Sequence, residues 1–164
     1  MDGIVIRQIE PGDNKAIAGI IRKSLEEFGA NKPGTVYFDD STDHLYELFS
    51  TVKGSIYFIA LHNDTVVGGA GIYPTDNLPK GTCELVKMYL SNTVRGKGLG
   101  RLMIDRCIEA ATALGYTNIY LETMPELKKA VHVYEKFGFE YLAAPLGNSG
   151  HTGCDIWMMK NIAS

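Results

Sequence analysis

The sequence predicts an α/β fold in which helices flank a mixed β-sheet. Strand-like and helix-like segments alternate along the 164 residues, and 45% of the residues are hydrophobic. No internal repeat, linker or low-complexity segment interrupts this alternation. A chain of this length and composition can bury one hydrophobic core, so we expect a single domain over residues 1–164.

The first half of the chain predicts one strand, two helices and a three-stranded meander. Apolar residues recur at helical spacing in the first helix, which Gly29 ends, and Asn63-Asp64 is a candidate two-residue hairpin turn. The predicted elements are strand 4–9, helix 13–28, loop 29–40, helix 42–49, and strands 55–62, 65–73 and 82–90.

The second half predicts two further helices and three strands. Thr123-Met124-Pro125-Glu126 has the T-x-x-E pattern of a capping box, which places a helix start at this point, and Gly138 ends that helix. The predicted elements are helix 99–114, strand 118–122, a helix that contains 127–137, and strands 139–144 and 153–160. The predicted order is therefore β-α-α-β-β-β-α-β-α-β-β.

Net charge and segment composition exclude several classes of partner and location. The formal charge of -3 leaves no global positive field of the kind that recruits nucleic acid or an anionic membrane. The chain has no signal-like start and no segment of roughly 18 uninterrupted apolar residues. Its three cysteines are widely spaced and are interpreted as reduced thiols. We therefore expect a soluble cytoplasmic protein.

A glycine-rich turn precedes the most regular helix and predicts a phosphate site. Glycines allow positive φ and close approach, so successive N–H groups can point into one concavity at a helix N-terminus. Arg95, Lys97 and Arg101 add positive charge around it, which suits a pyrophosphate. The spacing excludes a Walker loop, and the position after a fourth strand argues against a Rossmann fingerprint. A plain structural turn with solvated basic residues remains the alternative.

Residues Arg95 to Gly100 resemble the Q/R-x-x-G-x-G/A signature of the GNAT superfamily of N-acetyltransferases. The later stretch Ala130-x-x-x-Tyr134-x-x-x-Gly138-Phe139 resembles the A-x-x-x-Y-x-x-x-G-F stretch of the same family. The predicted order of elements is also similar, so the resemblance covers nearly the whole chain. Leu127 departs from the family pattern, because many relatives carry Asn there.

The resemblance implies a mixed, mostly antiparallel sheet with flanking helices, and acetyl-CoA as cosubstrate. In that fold the strands that hold 84–90 and 119–122 splay apart, and the pantetheine arm of the cofactor fills the opening. The arm would pair with the backbone around Met88 to Leu90, and the turn would cradle the pyrophosphate. The implied cofactor-binding residues are Met88, Tyr89, Leu90, Arg95, Gly96, Lys97, Gly98, Leu99, Gly100 and Arg101.

Acetyl transfer requires a neutral amine, and therefore a base near the thioester. Glu84 is the candidate, because burial on a strand raises the pKa of a carboxyl toward a useful range. It lies eleven positions before Arg95, a spacing similar to that of the glutamate base in the histone-acetyltransferase branch of the family. An ordinary strand residue paired with Lys87 is the structural alternative, and Glu122 is the alternative base.

Tyr134 matches the family tyrosine whose hydroxyl lies near the CoA sulfur and can protonate the thiolate. It also lies on an apolar helical stripe, so a purely structural aromatic is the alternative. We hypothesise direct transfer in a ternary complex, with Glu84 as base, Tyr134 as acid and a backbone N–H near Leu90 on the thioester carbonyl.

The acceptor is expected to be a primary amine on a small molecule or peptide. His151, with Asp155 and Trp157, borders the acceptor cleft or lies on a surface loop, and the loop 31–43 is the other possible wall. The four histidines lack metal-ligand spacing, so we expect no metal site. Homodimers are frequent among similar enzymes, which leaves a homodimer open here.

Two other functions fit the same turn. A non-catalytic acyl-CoA sensor would keep the glycine-rich turn and need neither Glu84 nor Tyr134. A nucleotide-binding regulator would need the Lys-Ser/Thr pair and the magnesium ligands that this sequence lacks.

Overall fold

The chain forms seven strands and four α-helices in the computed structural model, which describes residues 2–163. Short 3-10 turns connect several of them. The elements are β1 (Ile4–Gln8), α1 (Asn14–Glu27), α2 (Leu45–Thr51), β2 (Ile56–His62), β3 (Thr65–Tyr73), β4 (Thr82–Leu90), α3 (Leu99–Ala113), β5 (Asn118–Thr123), α4 (Lys128–Lys136), β6 (Glu140–Leu142) and β7 (Ile156–Asn161). The predicted α/β class and order of elements are confirmed.

All seven strands belong to one sheet with the order β1-β2-β3-β4-β5-β7-β6. The β4–β5 pair is parallel and the other neighbours are antiparallel, as the resemblance implied. The β4–β5 ladder consists of three residue pairs and ends at Glu84 and Tyr120, although both strands continue past this point. A fork therefore opens in the middle of the sheet.

Hydrophobic side chains cover both faces of the sheet. Met103 and Cys107 of α3 pack on one face, and Ile17 and Ile21 of α1 pack on the other, all with no exposed area. Burial of such side chains stabilises each by about 1.5–3 kcal/mol, so the two helices hold the sheet firmly from both sides. The fork lies between these two layers.

A β-bulge in β4 lies next to the fork. Between the residue pairs Gly69–Tyr89 and Gly71–Val86, β4 has two residues and β3 has one. Lys87, one of the two residues in the bulge, has a left-handed φ of 52°. The buried hydroxyl of Tyr57 donates a 2.6 Å hydrogen bond to the Lys87 carbonyl. The Tyr57 ring lies over Gly69 and Gly71, where no side chain is in the way. Tyr57 therefore fixes the backbone of the bulge.

The close approach of this ring makes Gly69 a sensitive position. A Cβ atom there would lie 2.6 Å from Tyr57 Cε2 and 2.9 Å from Ile17 Cδ1. We expect Gly69→Ala to lower the free energy of unfolding by about 1–3 kcal/mol, because the ring and helix α1 must shift. Urea denaturation measures this. Gly19→Ala, at an exposed helical position with open space, is the matched control and should not lower stability. An equal effect of both substitutions would contradict the packing argument.

The predicted starts of two helices were wrong. Helix α2 begins at Leu45, because 40–43 forms a 3-10 turn instead. The predicted capping box does not form. Thr123 ends strand β5, the Glu126 carboxylate binds the Lys32 ammonium, and helix α4 begins after Leu127. In both cases tertiary contacts outweigh a local helix signal.

The hairpin turn at Asn63-Asp64 is confirmed, with φ values of 49° and 68° that suit a type I′ turn. The last two strands are shorter than predicted, and β7 begins at Ile156. Residues ahead of it bind elsewhere, since the Gly153 N–H donates to the Gly34 carbonyl. Among the helices of residues 2–163, none has both the length and the apolar character that crossing a membrane requires.

Candidate active site

A cleft of about 530 Å³ occupies the fork between β4 and β5 and extends to the glycine-rich turn and α4. The predicted cofactor-binding residues that line it are Met88, Tyr89, Leu90, Arg95, Gly96, Gly98, Gly100 and Arg101. Lys97 and Leu99 lie outside this lining. Lys97 is exposed, and Leu99 is buried in the core beneath the turn. The end of β4 and the glycine-rich turn that follows it therefore line the same cleft.

The geometry of the turn explains its glycines. Gly96 and Gly98 have φ values of 75° and 85°, which disfavour any residue with a Cβ atom. Gly98 is the N-cap of α3, so the first N–H groups of this helix lack intrahelical acceptors. These groups and the positive end of the helix dipole face the cleft, which is the arrangement that binds phosphate.

Arg95 is held by the protein itself. Its guanidinium lies 2.7 Å from Glu27, donates to Ser24 Oγ at 3.1 Å and stacks 4.9 Å above the Phe28 ring, and its Nε donates to the Leu90 carbonyl. These contacts tie the turn to the end of α1. Arg95 therefore fixes the position of the turn.

Two basic residues of the cleft were not found from the sequence. Lys129 and Lys136 of α4 line it together with Arg101. Basic residues beside an amphipathic stripe are usually solvated, so only the arrangement of α4 next to the fork indicates a role for them. The three side chains give the cleft a positive rim that suits a polyphosphate.

Glu84 lies at the apex of the fork and is 3% exposed. Thr75 Oγ1 donates a 2.5 Å hydrogen bond to Glu84 Oε1. Burial above all, together with the neighbouring Glu122, raises the pKa of this carboxyl from 4.5 to about 7, against the hydrogen bond from Thr75, which lowers it. A carboxyl with this pKa can accept a proton near neutral pH.

Glu84, Glu122 and His151 form a cluster in which one polar atom of each lies within 4.8 Å of the others. Glu122 accepts hydrogen bonds from the hydroxyls of Tyr120, at 2.6 Å, and Ser149. His151 Nε2 lies 2.7 Å from Asp39 Oδ2. No spacing in the sequence indicated this cluster, because its members come from three distant segments. The hydrogen bonds to Tyr120, Ser149 and Asp39 hold Glu122 and His151 in place beside Glu84.

A second cavity, of about 300 Å³, lies on the other side of Glu84. Asp39 and Ser41 of the 31–43 loop line it, as does His151, while Tyr37, Phe38, Asp40, Asp155 and Trp157 are outside its lining. His151 therefore borders the cavity and does not lie on an open surface loop. Glu84, Lys87 and His151 line both cavities, so the two spaces meet at these side chains.

Tyr134 lines the cofactor cleft from α4 and is also packed in the core. Its ring lies 5.9 Å from the Phe139 ring in an edge-on arrangement, and burial raises the pKa of its hydroxyl above the usual value. The hydroxyl makes no hydrogen bond to any group within residues 2–163. Both sequence-based interpretations of Tyr134, packed ring and hydroxyl at the cleft, fit this position.

Comparison with known proteins agrees with this geometry. A family model described as "Acetyltransferase (GNAT) family" matches residues 21–139. The uncharacterized N-acetyltransferase YjgM of Escherichia coli is 38% identical over 160 residues, 96% of this chain and 95% of the relative. An acetyltransferase structure from Streptococcus agalactiae has a TM-score of 0.83 at 21% identity, over 98% of this chain and 99% of the other. The structure of yncA from Salmonella typhimurium with its cofactor acetyl-CoA has a TM-score of 0.77 at 20% identity, over 99% and 95%. The chain belongs to the GNAT family of acetyltransferases.

Proposed function

We propose that the protein transfers the acetyl group of acetyl-CoA to a primary amine by direct attack in a ternary complex. As a GNAT acetyltransferase it is an acetyl-CoA-dependent acyltransferase. One observation carries the finer proposal, namely that the 530 Å³ cleft and the 300 Å³ cavity meet at Glu84. Cofactor in the first space and acceptor in the second would bring thioester and amine together there.

The cofactor assignment rests on three features of the cleft. Its size suits the pantetheine arm, the N-terminus of α3 suits the pyrophosphate, and Arg101 lies at the rim. On the β5 side of β4, the backbone beyond Glu84 has no strand partner in the described chain. The Lys87 and Leu90 carbonyls accept hydrogen bonds from Tyr57 and Arg95, and the other polar groups of this segment would pair with the pantetheine amides. An N–H group near Leu90 would then polarise the thioester carbonyl.

The base assignment favours Glu84 over Glu122. Glu84 stands where the two spaces meet, and its pKa of about 7 suits proton abstraction at neutral pH. Both oxygens of Glu122 already accept hydroxyl hydrogen bonds. In the proposed reaction Glu84 removes a proton from the ammonium of the acceptor, the nitrogen attacks the thioester carbon, and the C–S bond breaks to release the thiolate.

Tyr134 is proposed as the acid that protonates this thiolate. We expect Tyr134→Phe to lower kcat by about 10²-fold or more, because the variant retains the packed ring and loses the hydroxyl proton. Affinity for acetyl-CoA should change little. Steady-state kinetics and calorimetric titration measure the two quantities. Tyr141→Phe, which removes an exposed hydroxyl, is the control. Unchanged kcat in Tyr134→Phe would rule out the acid role.

An acceptor screen tests the proposed function as a whole. Wild-type protein is incubated with acetyl-CoA and single primary amines, and thiol release is followed with a chromogenic disulfide. Amine-dependent release together with an acetylated product in mass spectra supports transfer. Tight acetyl-CoA binding without release for any amine would instead support a non-catalytic sensor.

A further inference from the structure

Lys87 is a largely buried lysine whose ammonium opens onto the two cavities. Its side chain is 6% exposed and lines both cavities. The nearest carboxylate oxygen is Asp39 Oδ2, 3.6 Å from Nζ, which is longer than a hydrogen bond. The same oxygen is 2.7 Å from His151 Nε2. Across residues 2–163, the Lys87 ammonium has no hydrogen-bond acceptor within 3.5 Å.

A buried ammonium in this state is costly. Burial of most of the side chain weakens the hydration of this ammonium and lowers the pKa of Lys87, and an anionic group in the cavity would offset this cost. Asp39 offsets part of the charge from a distance, but it leaves the three N–H donors of Lys87 open toward the cavity. An oxygen anion that enters the cavity would therefore gain charge-assisted hydrogen bonds at this point.

The other residues that line the cavity indicate which further groups such a ligand would carry. Glu84 presents a carboxyl group that suits an amine, and Leu48, Phe49 and Val52 supply an apolar wall. A volume of about 300 Å³ is at the lower end for ligand pockets and holds a molecule of amino-acid size. Lys87 offers a cation to an anionic group of the ligand, and Glu84, with Asp39 and Asp76 also in the lining, makes the rest of the site suit an amine.

We propose that the acceptor is a small amine that carries a carboxylate, as an amino acid does, and that Lys87 binds this carboxylate while the amine faces Glu84. The inference rests on the proposed function and narrows its acceptor class. The transfer remains balanced: the acceptor nitrogen forms the amide bond and the thioester C–S bond breaks. The ammonium loses one proton to Glu84 before the attack, Tyr134 gives its proton to the thiolate, and the second proton that the nitrogen loses as the amide forms restores Tyr134. The acceptor carboxylate takes no part in the chemistry and serves only as the anchor.

Binding and turnover are measured separately on the wild type. Each of the twenty proteinogenic amino acids is titrated by calorimetry into protein saturated with CoA, and each ligand found is compared with its carboxamide. The same pairs, with putrescine as an amine that has no carboxylate, are then used as acceptors with acetyl-CoA. We expect at least one amino acid to bind about 30-fold more tightly than its amide, since a buried charge pair is lost in the amide.

Variants of Lys87 test whether this side chain causes the preference for the carboxylate. Lys87→Met should abolish the preference for the carboxylate, and Lys87→Arg should retain most of it because the charge remains. Lys80→Met removes an exposed lysine and should leave the preference intact. Thermal unfolding and CoA titration confirm that each variant is folded, and both lysine-to-methionine changes remove one positive charge, which controls for net charge.

The outcomes separate this inference from the proposed function. Carboxylate-dependent binding that requires Lys87 supports the inference, even if no acetylated product forms, and in that case the proposed function fails alone. Turnover of putrescine and amides with no carboxylate preference overturns the inference and leaves the proposed function standing. Absence of amino-acid binding, or equal loss of amino-acid and amide binding in Lys87→Met, also overturns the inference.

Discussion

Glu84→Gln is expected to lower kcat by about 10²-fold or more at pH 7, because the variant retains the size of the side chain and cannot accept a proton. The pKa of Glu84 is about 7, so kcat/KM of the wild type should rise with pH through this value as the carboxylate forms. In the variant this rise should be absent. The deficit should shrink at high pH, where more of the acceptor amine is already neutral.

Glu122→Gln is the matched control, because it makes the same change at another carboxyl group of the cluster, within 4.8 Å of Glu84. It should retain the rise in rate but shift it to lower pH, because the charge of Glu122 raises the pKa of Glu84. If Glu122→Gln instead abolishes the rise and Glu84→Gln leaves it in place, Glu122 is the base. A loss that is uniform across pH in Glu84→Gln would point to positioning of the acceptor.

The same substitution should raise stability at alkaline pH. The folded protein holds the pKa of Glu84 at about 7, above its ordinary value of 4.5. The resulting contribution to stability is present below pH 4.5 and is lost as pH rises through 7. Relative to wild type, Glu84→Gln should therefore gain up to about 3 kcal/mol between pH 4.5 and pH 8. Denaturation at the two pH values measures this difference.

Gly98→Glu is expected to weaken acetyl-CoA binding by about 10²-fold. The new carboxylate would lie at the N-terminus of α3, where the pyrophosphate is proposed to bind, and would repel it. A Cβ atom at Gly98 meets open space, so the variant should fold, although its φ of 85° strains any side chain. Calorimetric titration with acetyl-CoA measures the loss.

Two comparisons isolate the cause of this loss. Gly98→Ala introduces the backbone strain without the charge and should retain more affinity than Gly98→Glu. Acetyl-pantetheine lacks both phosphates of the pyrophosphate, so its binding should be weak in the wild type and nearly the same in Gly98→Glu. Equal loss of both ligands would contradict a pyrophosphate site at the turn.

Sequence patterns predicted a strand, helix or turn well where the residues that determine it lie within that element. The order of strands and helices, the type I′ turn at 63–64 and the helix that follows the glycine-rich turn are all present. The capping box failed because Glu126 binds Lys32, 94 positions earlier in the chain. No local pattern contains information about such a partner, so a tertiary ion pair can remove a helix start that the sequence favours.

The chemistry of the candidate site was only partly predictable for the same reason. The position of Glu84 on a strand indicated burial, but its pKa depends on Glu122, which comes from another strand. His151 and Asp39 lie 112 positions apart and meet only because the two loops close over the cavity. Sequence spacing predicted residues for the proposed cofactor cleft, where one turn carries the motif, and left the acceptor side open.

The bulge in β4 places the side chains of Glu84 and Lys87 in the same cavity. Side chains in a regular strand alternate between faces, so Glu84 and Lys87, three positions apart, would point to opposite sides of the sheet. The additional residue reverses this parity, and both side chains line the same cavity. Beyond the bulge, Met88 and Leu90 turn toward the α3 layer and Tyr89 toward the α1 layer. A deletion of one residue here would therefore turn the side chains of the rest of the strand from one helix layer to the other while barely changing its composition.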